Sequence, residues 1–186
     1  MAPEQSFEQI VGTLKRSAAA LRDAGIPYML AGGLAVWARG GPESFHDLDF
    51  MLKPEDVERA AEALAAQGMR IERPPEGWLV KAFDGDVMVD LIFEPVTGPV
   101  GDEELARAEE LEVRAMPMHV ASLEDVLVTK LLVLREHEVD YDSVLDVARS
   151  VREQIDWDVV RERTQASPYA KAFFTLVEEL GIASGV

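Results

Sequence analysis

The run from Tyr28 to Met51, YMLAGGLAVWARGGPESFHDLDFM, leaves few folds open to the chain. It begins as a short apolar strand, Tyr28-Met29-Leu30-Ala31. It breaks at Gly32-Gly33 and resumes as a short helical piece, Leu34 to Ala38. After a Gly/Pro turn, Asp47-Leu48-Asp49-Phe50-Met51-Leu52 reads as a second strand. Side chains alternate along a strand, so Asp47 and Asp49 share one face while Leu48, Phe50 and Leu52 point to the core. Two carboxylates side by side repel each other. A hard divalent cation held through oxygen ligands offsets that repulsion.

An Asp-x-Asp pair is by itself also what a polar strand end looks like. Two further features give it context. The glycine pair follows a strand and opens a helix, where backbone amides face a phosphate and the missing side chains let it come close. Downstream, Asp90 interrupts an apolar strand, Val87-Met88-Val89-Asp90-Leu91-Ile92-Phe93. A carboxylate in such a run is costly to bury without a partner. Together they suggest a phosphate cradle beside a three-carboxylate metal site.

Gly32-Gly33, Asp47-x-Asp49 and Asp90 resemble the signature of the nucleotidyltransferase superfamily whose fold is like that of DNA polymerase β. The short bacterial members are similar in style, among them antibiotic nucleotidyltransferases and the nucleotidyltransferase-like partners of toxin–antitoxin pairs. The resemblance covers about the first 95 residues, and more loosely a helical region after residue 122. It departs just before the acidic pair. Many relatives carry Arg and Thr there, and this chain has Glu43-Ser44-Phe45-His46.

The resemblance implies an α+β fold. A small mixed sheet covered by helices on one side (residues 1–121) carries the site, and a C-terminal helical bundle (122–186) packs beside it and walls the cleft. It implies transfer of a nucleoside monophosphate from an NTP to a hydroxyl or phosphate acceptor, a small molecule or a protein. Asp47 and Asp49 would hold Mg²⁺ or Mn²⁺ on the triphosphate. Asp90 would complete a second metal position and help deprotonate the acceptor. Gly32 and Gly33 would bind the phosphates, and Lys130 would contact the nucleotide, as a lysine on the equivalent helix of relatives often does. A different class also suits the residues before Asp47 and the acidic surface: a non-catalytic, antitoxin-type binding protein that works through a protein partner.

Charge bears on the partner. Thirty-five acids against 18 bases give a formal net charge of −17. Lys and Arg contacts to phosphate supply most non-specific affinity for nucleic acid, and no Lys/Arg cluster is present, so nucleic acid is not the expected partner. A small acceptor, drawn in by the field if it is cationic, fits better. With no cysteine there is neither a disulfide nor a thiolate metal site. The start MAPEQSFEQIV has no basic n-region or apolar h-region, and no apolar run approaches the roughly 18 residues of a membrane span, so a cytoplasmic protein is expected. The three histidines, His46, His119 and His137, have no zinc-like spacing.

The remaining elements follow from caps and periodicity. Ser6 and Gln9 form a capping box ahead of a helix that ends at Gly25. Pro54-Glu55-Asp56 opens a second helix whose buried face is Val57, Ala60, Ala61 and Leu64, ending at Gly68. Met69 to Glu72 is a strand. Asp84-Gly85 joins two β-prone runs and reads as a two-residue hairpin loop. That register puts Lys81 opposite Met88 and Leu79 opposite Asp90, with Lys81 diagonal to Asp90 on the same face. Asp102 to Glu110 reads as a short acidic helix, and Leu111 to Met116 as an edge strand limited by Pro117. Ser122 caps a helix from Leu123 to about Glu138, with Lys130 inside its apolar stripe. Further helices are expected from about Asp140, over Trp157 to Gln165, and over Pro168 to Leu180.

Overall fold

The computed structural model of the chain describes residues 6–45 and 47–183. Helix α1 (Phe7–Asp23) begins with the expected capping box: the Ser6 side chain accepts from the Gln9 amide, and the Gln9 side chain accepts from the Ser6 amide. Strand β1 (Tyr28–Leu30) leads straight into α2 (Gly32–Ala38), and β2 (Leu48–Leu52) returns antiparallel to β1. A 3-10 turn at Pro54–Asp56 starts α3 (Val57–Ala66), which buries Val57, Ala60, Ala61 and Leu64 as its periodicity requires. Strands β3 (Arg70–Glu72), β4 (Leu79–Asp84) and β5 (Val87–Ile92) follow. Then come α4 (Asp102–Ala106), β6 (Glu109–Val113) and β7 (Met116–Val120). The chain closes with α5 (Leu123–Leu132), α6 (Asp142–Val151), α7 (Trp157–Thr164) and α8 (Pro168–Glu179).

The strands form one seven-stranded mixed sheet in the order β3-β4-β5-β2-β1-β7-β6. The β2/β5 and β1/β7 pairs are parallel and the others antiparallel. One face carries Tyr28, Leu30, Leu48, Phe50, Leu52, Val89 and Leu91, all buried. Helices α1 and α3 cover it. The Tyr28 ring meets Phe50 edge-on at 5.1 Å, and its hydroxyl donates to the Ala18 carbonyl of α1. Helix α5 packs against α2, and α6, α7 and α8 pack on α5. Most of the buried hydrophobic side chains form one cluster that runs from Phe7 to Ala183. Each fully buried Leu or Phe in it contributes about 1.5–3 kcal/mol of transfer free energy, so the sheet–helix layers stabilise one another.

Four expected elements differ. The β4–β5 loop is Gly85-Asp86, because Asp84 pairs with Val87; Lys81 is therefore directly opposite Asp90 and not diagonal to it. Leu111 to Met116 is not one strand. It turns at Arg114-Ala115, both with positive φ (51° and 64°), so Val113 pairs with Met116 and Pro117 lies in β7 opposite Glu112. The acidic helix is confined to α4, and the Ser122-capped helix stops at Leu132, followed by a tight turn in which Glu138 bridges back to Arg135.

Candidate active site

The site forms where β1 ends. The Ala31 amide donates to the Asp49 carbonyl at 2.9 Å, which ties the end of β1 to β2 just before the glycine turn. Gly32 then takes φ +58°, a left-handed conformation that favours glycine. A Cβ there would also collide with the Asp49 carboxylate, and one at Gly33 would collide with the Ser44 side chain. Both glycines therefore keep space for side chains of the site itself.

Asp47, Asp49, Gly32, Gly33 and Lys130 line a single cleft of about 360 Å³. Strand alternation brings the acids in from one side, and Met51 and Ile92 continue the same sheet face. The opposite wall comes from α5. Val126, Thr129, Lys130 and Val133 recur at helical spacing and face the cleft, while Leu127 and Leu131 face the core. Asp90 is next to Asp49 across the parallel β2/β5 pair, one strand further from the glycine turn, and it is not part of the cleft lining. It is buried and ion-paired. The Lys81 ammonium donates to both its oxygens at 2.9 and 3.0 Å, and also reaches Met88 Sδ at 3.3 Å.

Burial and the neighbouring Asp90 and Asp47 charges push the Asp49 carboxyl up to about 7, only partly opposed by Lys130 and Lys81. Burial also raises Asp90, against the Lys81 hydrogen bonds that lower it. Asp49 thus marks the spot where negative charge is most crowded, and oxygen ligands crowded in this way suit a hard divalent cation. Asp47 and Asp49 are the residues that fit one. Among the described residues, no three or more His, Asp or Glu side chains form a group that could hold a metal ion. His46, one of the histidines expected to form no zinc site, lies outside the described residues.

Ser44, Thr129 and Asp125 also line the cleft, and sequence reasoning assigned them no part in it. For Thr129 a signal existed, since Val126, Thr129, Lys130 and Val133 share one helical stripe. Asp125 read only as a helix-start acid. It is buried, accepts from Ser122 Oγ (3.1 Å), Arg107 Nε (3.1 Å) and Arg163 Nη2 (2.6 Å), and so ties α5 to α4 and α7. Burial alone would raise its carboxyl, but the two arginines outweigh this and hold it below the usual range.

A glycine turn between β1 and α2, a returning strand that presents paired acids, and a lysine-bearing helix as the opposite wall make the arrangement expected of a nucleotidyltransferase fold. The chain belongs to the family described as "Uncharacterised nucleotidyltransferase", whose model matches residues 5–178. No curated protein matches it in sequence. Its fold is similar to that of the antibiotic-resistance factor ANT(2'')-Ia, with TM-score 0.67 and 15% identity, covering 95% of this chain and 98% of that one. It is similar also to the lincosamide antibiotic adenylyltransferase LnuA, solved with lincomycin bound: TM-score 0.53, 14% identity, 77% and 97% covered. A Thermotoga maritima protein assigned as a nucleotidyltransferase gives TM-score 0.53 at 14% identity, with 89% and 98% covered. Among the described residues no helix is long and apolar enough to cross a membrane.

Proposed function

We propose that the protein is a divalent-cation-dependent nucleotidyltransferase that moves a nucleoside monophosphate from an NTP to the hydroxyl of a small-molecule acceptor. The observation that carries this reading is the convergence of Asp47, Asp49 and Lys130 on one cleft at the Gly32-Gly33 turn. Asp47 and Asp49 would hold the cation, which would supply charge neutralisation for the triphosphate and the leaving pyrophosphate. Lys130 adds a positive charge from the α5 wall. Asp90, held by Lys81 behind the cleft lining and beside Asp49, would take the acceptor's proton through one intervening water. The acceptor oxygen bonds to the α-phosphorus, the bond from that phosphorus to the bridging oxygen breaks, and pyrophosphate leaves with the electron pair. The apolar side chains of Met51, Ile92, Val126 and Val133 give the cleft a surface for a base or an organic acceptor. A small-molecule acceptor also fits two of the similar structures, an antibiotic-resistance factor and a lincosamide antibiotic adenylyltransferase.

Calorimetry with each NTP tests the reading. Binding should require Mg²⁺ or Mn²⁺ and vanish in Asp47→Asn/Asp49→Asn, while Lys130→Ala should weaken it about tenfold without lowering the melting temperature. Binding that survives in the double variant would remove the metal assignment. Pyrophosphate release across a panel of hydroxylated small molecules then identifies the acceptor. Nucleotide binding with no turnover on any of them would point instead to a binding protein.

A further inference from the structure

The resemblance to two-metal nucleotidyltransferases predicts that Asp90 shares a second divalent ion with the acidic pair. The geometry here gives Asp90 a different partner. Both its oxygens already accept from one ammonium, Lys81 Nζ, at 2.9 and 3.0 Å. The pair is built into the sheet: Lys81 and Asp90 are directly opposed across the antiparallel β4/β5 ladder, so neither needs an unusual backbone to meet the other. Their side chains are 25% and 8% exposed, which places the ion pair under cover and not on a solvated rim. Asp47 and Asp49 have no such partner. No hydrogen bond or ion pair reaches either carboxylate among the described residues, and both face the cleft.

We propose that the Lys81 ammonium stands in the place of a second divalent ion, so that the cleft holds one ion, on Asp47 and Asp49, and Asp90 is oriented by Lys81. This rests on the nucleotidyltransferase reading above. A fixed ammonium can do for Asp90 what an ion does in a three-acid site. It balances one of the crowded charges, and its two hydrogen bonds set the direction of the carboxylate. It differs in being covalently part of β4, so it is present before any nucleotide arrives. Lys81 is in this sense a positioning residue.

Counting bound Mn²⁺ on the full chain by electron paramagnetic resonance, without nucleotide, separates the possibilities. Asp47→Asn/Asp49→Asn supplies the baseline for weak binding to the acidic surface. Above that baseline the wild type should bind one ion per chain, and Lys81→Met, which frees both Asp90 oxygens, should bind two. Two ions on the wild type, or one on a folded Lys81→Met, would overturn the proposal and leave the nucleotidyltransferase reading standing. No ion above baseline on the wild type would overturn both. Should Lys81→Met not fold, Asp90→Asn decides the matter. The count should stay at one, with Mn²⁺ affinity changed less than about threefold. A loss beyond about tenfold would show that Asp90 ligates the ion and would overturn the proposal.

Discussion

Asp49 sits where a carboxylate is hard to keep ionised, partly buried between Asp47 and Asp90. Its folded-state value of about 7 against an ordinary 3.8 fixes a sign. Between those two values the folded chain holds a proton that the unfolded chain has released. The Asp49 contribution to the stability of the metal-free protein is therefore present toward pH 4 and is lost as pH rises through about 7. Asp90 is shifted in the same direction. In EDTA, Asp49→Asn should melt higher than the wild type at pH 8, and the difference should vanish near pH 4. With Mg²⁺ present, the wild type should lose this dependence, because the ion then favours the charged form. A wild type that melts higher than Asp49→Asn in EDTA at pH 8 would contradict the charge crowding. Gly32 tests the same contact from the other side. Gly32→Ala forces a non-glycine residue to φ +58° and drives a Cβ into the Asp49 carboxylate. The backbone strain alone is of order 1–3 kcal/mol. Nucleotide binding should fall with it. Unchanged calorimetry and an unchanged melt in Gly32→Ala would show that the turn has room.

The elements legible from sequence were those whose signals are local. The period-two Asp47/Asp49 face, the Ser6–Gln9 box, the Ser122 cap and the Val57–Leu64 stripe of α3 all depend on near neighbours in the chain. The elements that differed depend on distant ones. Asp84 accepts from Thr13 Oγ1 at 2.6 Å and pairs with Arg16, both on α1. Those contacts keep Asp84 inside β4 and move the loop to Gly85-Asp86, where Gly85 supplies φ +61° at the first loop position. The shift is by two residues, so the facing of Lys81 survived although its partner changed. The β6–β7 hairpin was hidden for another reason: its loop, Arg114-Ala115, uses left-handed backbone without Gly or Asn. Arg114 reaches Glu8 at 3.3 Å and sits over the Trp37 ring, tertiary contacts that no local pattern announces. Ala115, at φ 64°, has no such compensation from its methyl side chain. Ala115→Gly should therefore stabilise the protein by about 0.5–1 kcal/mol, the strain relieved less the entropy glycine brings to the unfolded chain. Urea unfolding measures it. A lower midpoint for Ala115→Gly would show that the methyl group contributes packing that outweighs the strain.

Across the whole molecule, much of the positive charge is engaged with specific partners: Lys81 with Asp90, Arg16 with Asp84, Arg39 with Glu109, and Arg107 and Arg163 with Asp125. Against a net charge of −17, this leaves a field that disfavours long polyanions such as nucleic acid and would draw in cationic small molecules. The Asp125 cluster joins α4, before residue 121, to α5 and α7, after it, and the same hydrophobic cluster runs through both segments. The two segments should then unfold together. Asp125 itself is buried, but Arg107 and Arg163 are 39% and 30% exposed and water takes over part of their hydrogen bonding when the acid is removed, so the cost is about 1–3 kcal/mol. For a chain of this length each kcal/mol moves the midpoint by roughly 2–4 °C, so Asp125→Ala should lower it by about 2–12 °C. Tryptophan positions allow the segments to be followed separately. Trp157 lies on α7, and Trp37 and Trp78 lie before residue 121. In Trp37→Phe/Trp78→Phe the fluorescence reports the C-terminal helices, and in Trp157→Phe it reports the sheet segment. Both backgrounds should melt at the midpoint seen by circular dichroism, and Asp125→Ala should lower both by the same amount. A drop confined to the Trp157 signal would mean that the C-terminal helices form a separate folding unit, and that Asp125 stabilises only their dock against the sheet.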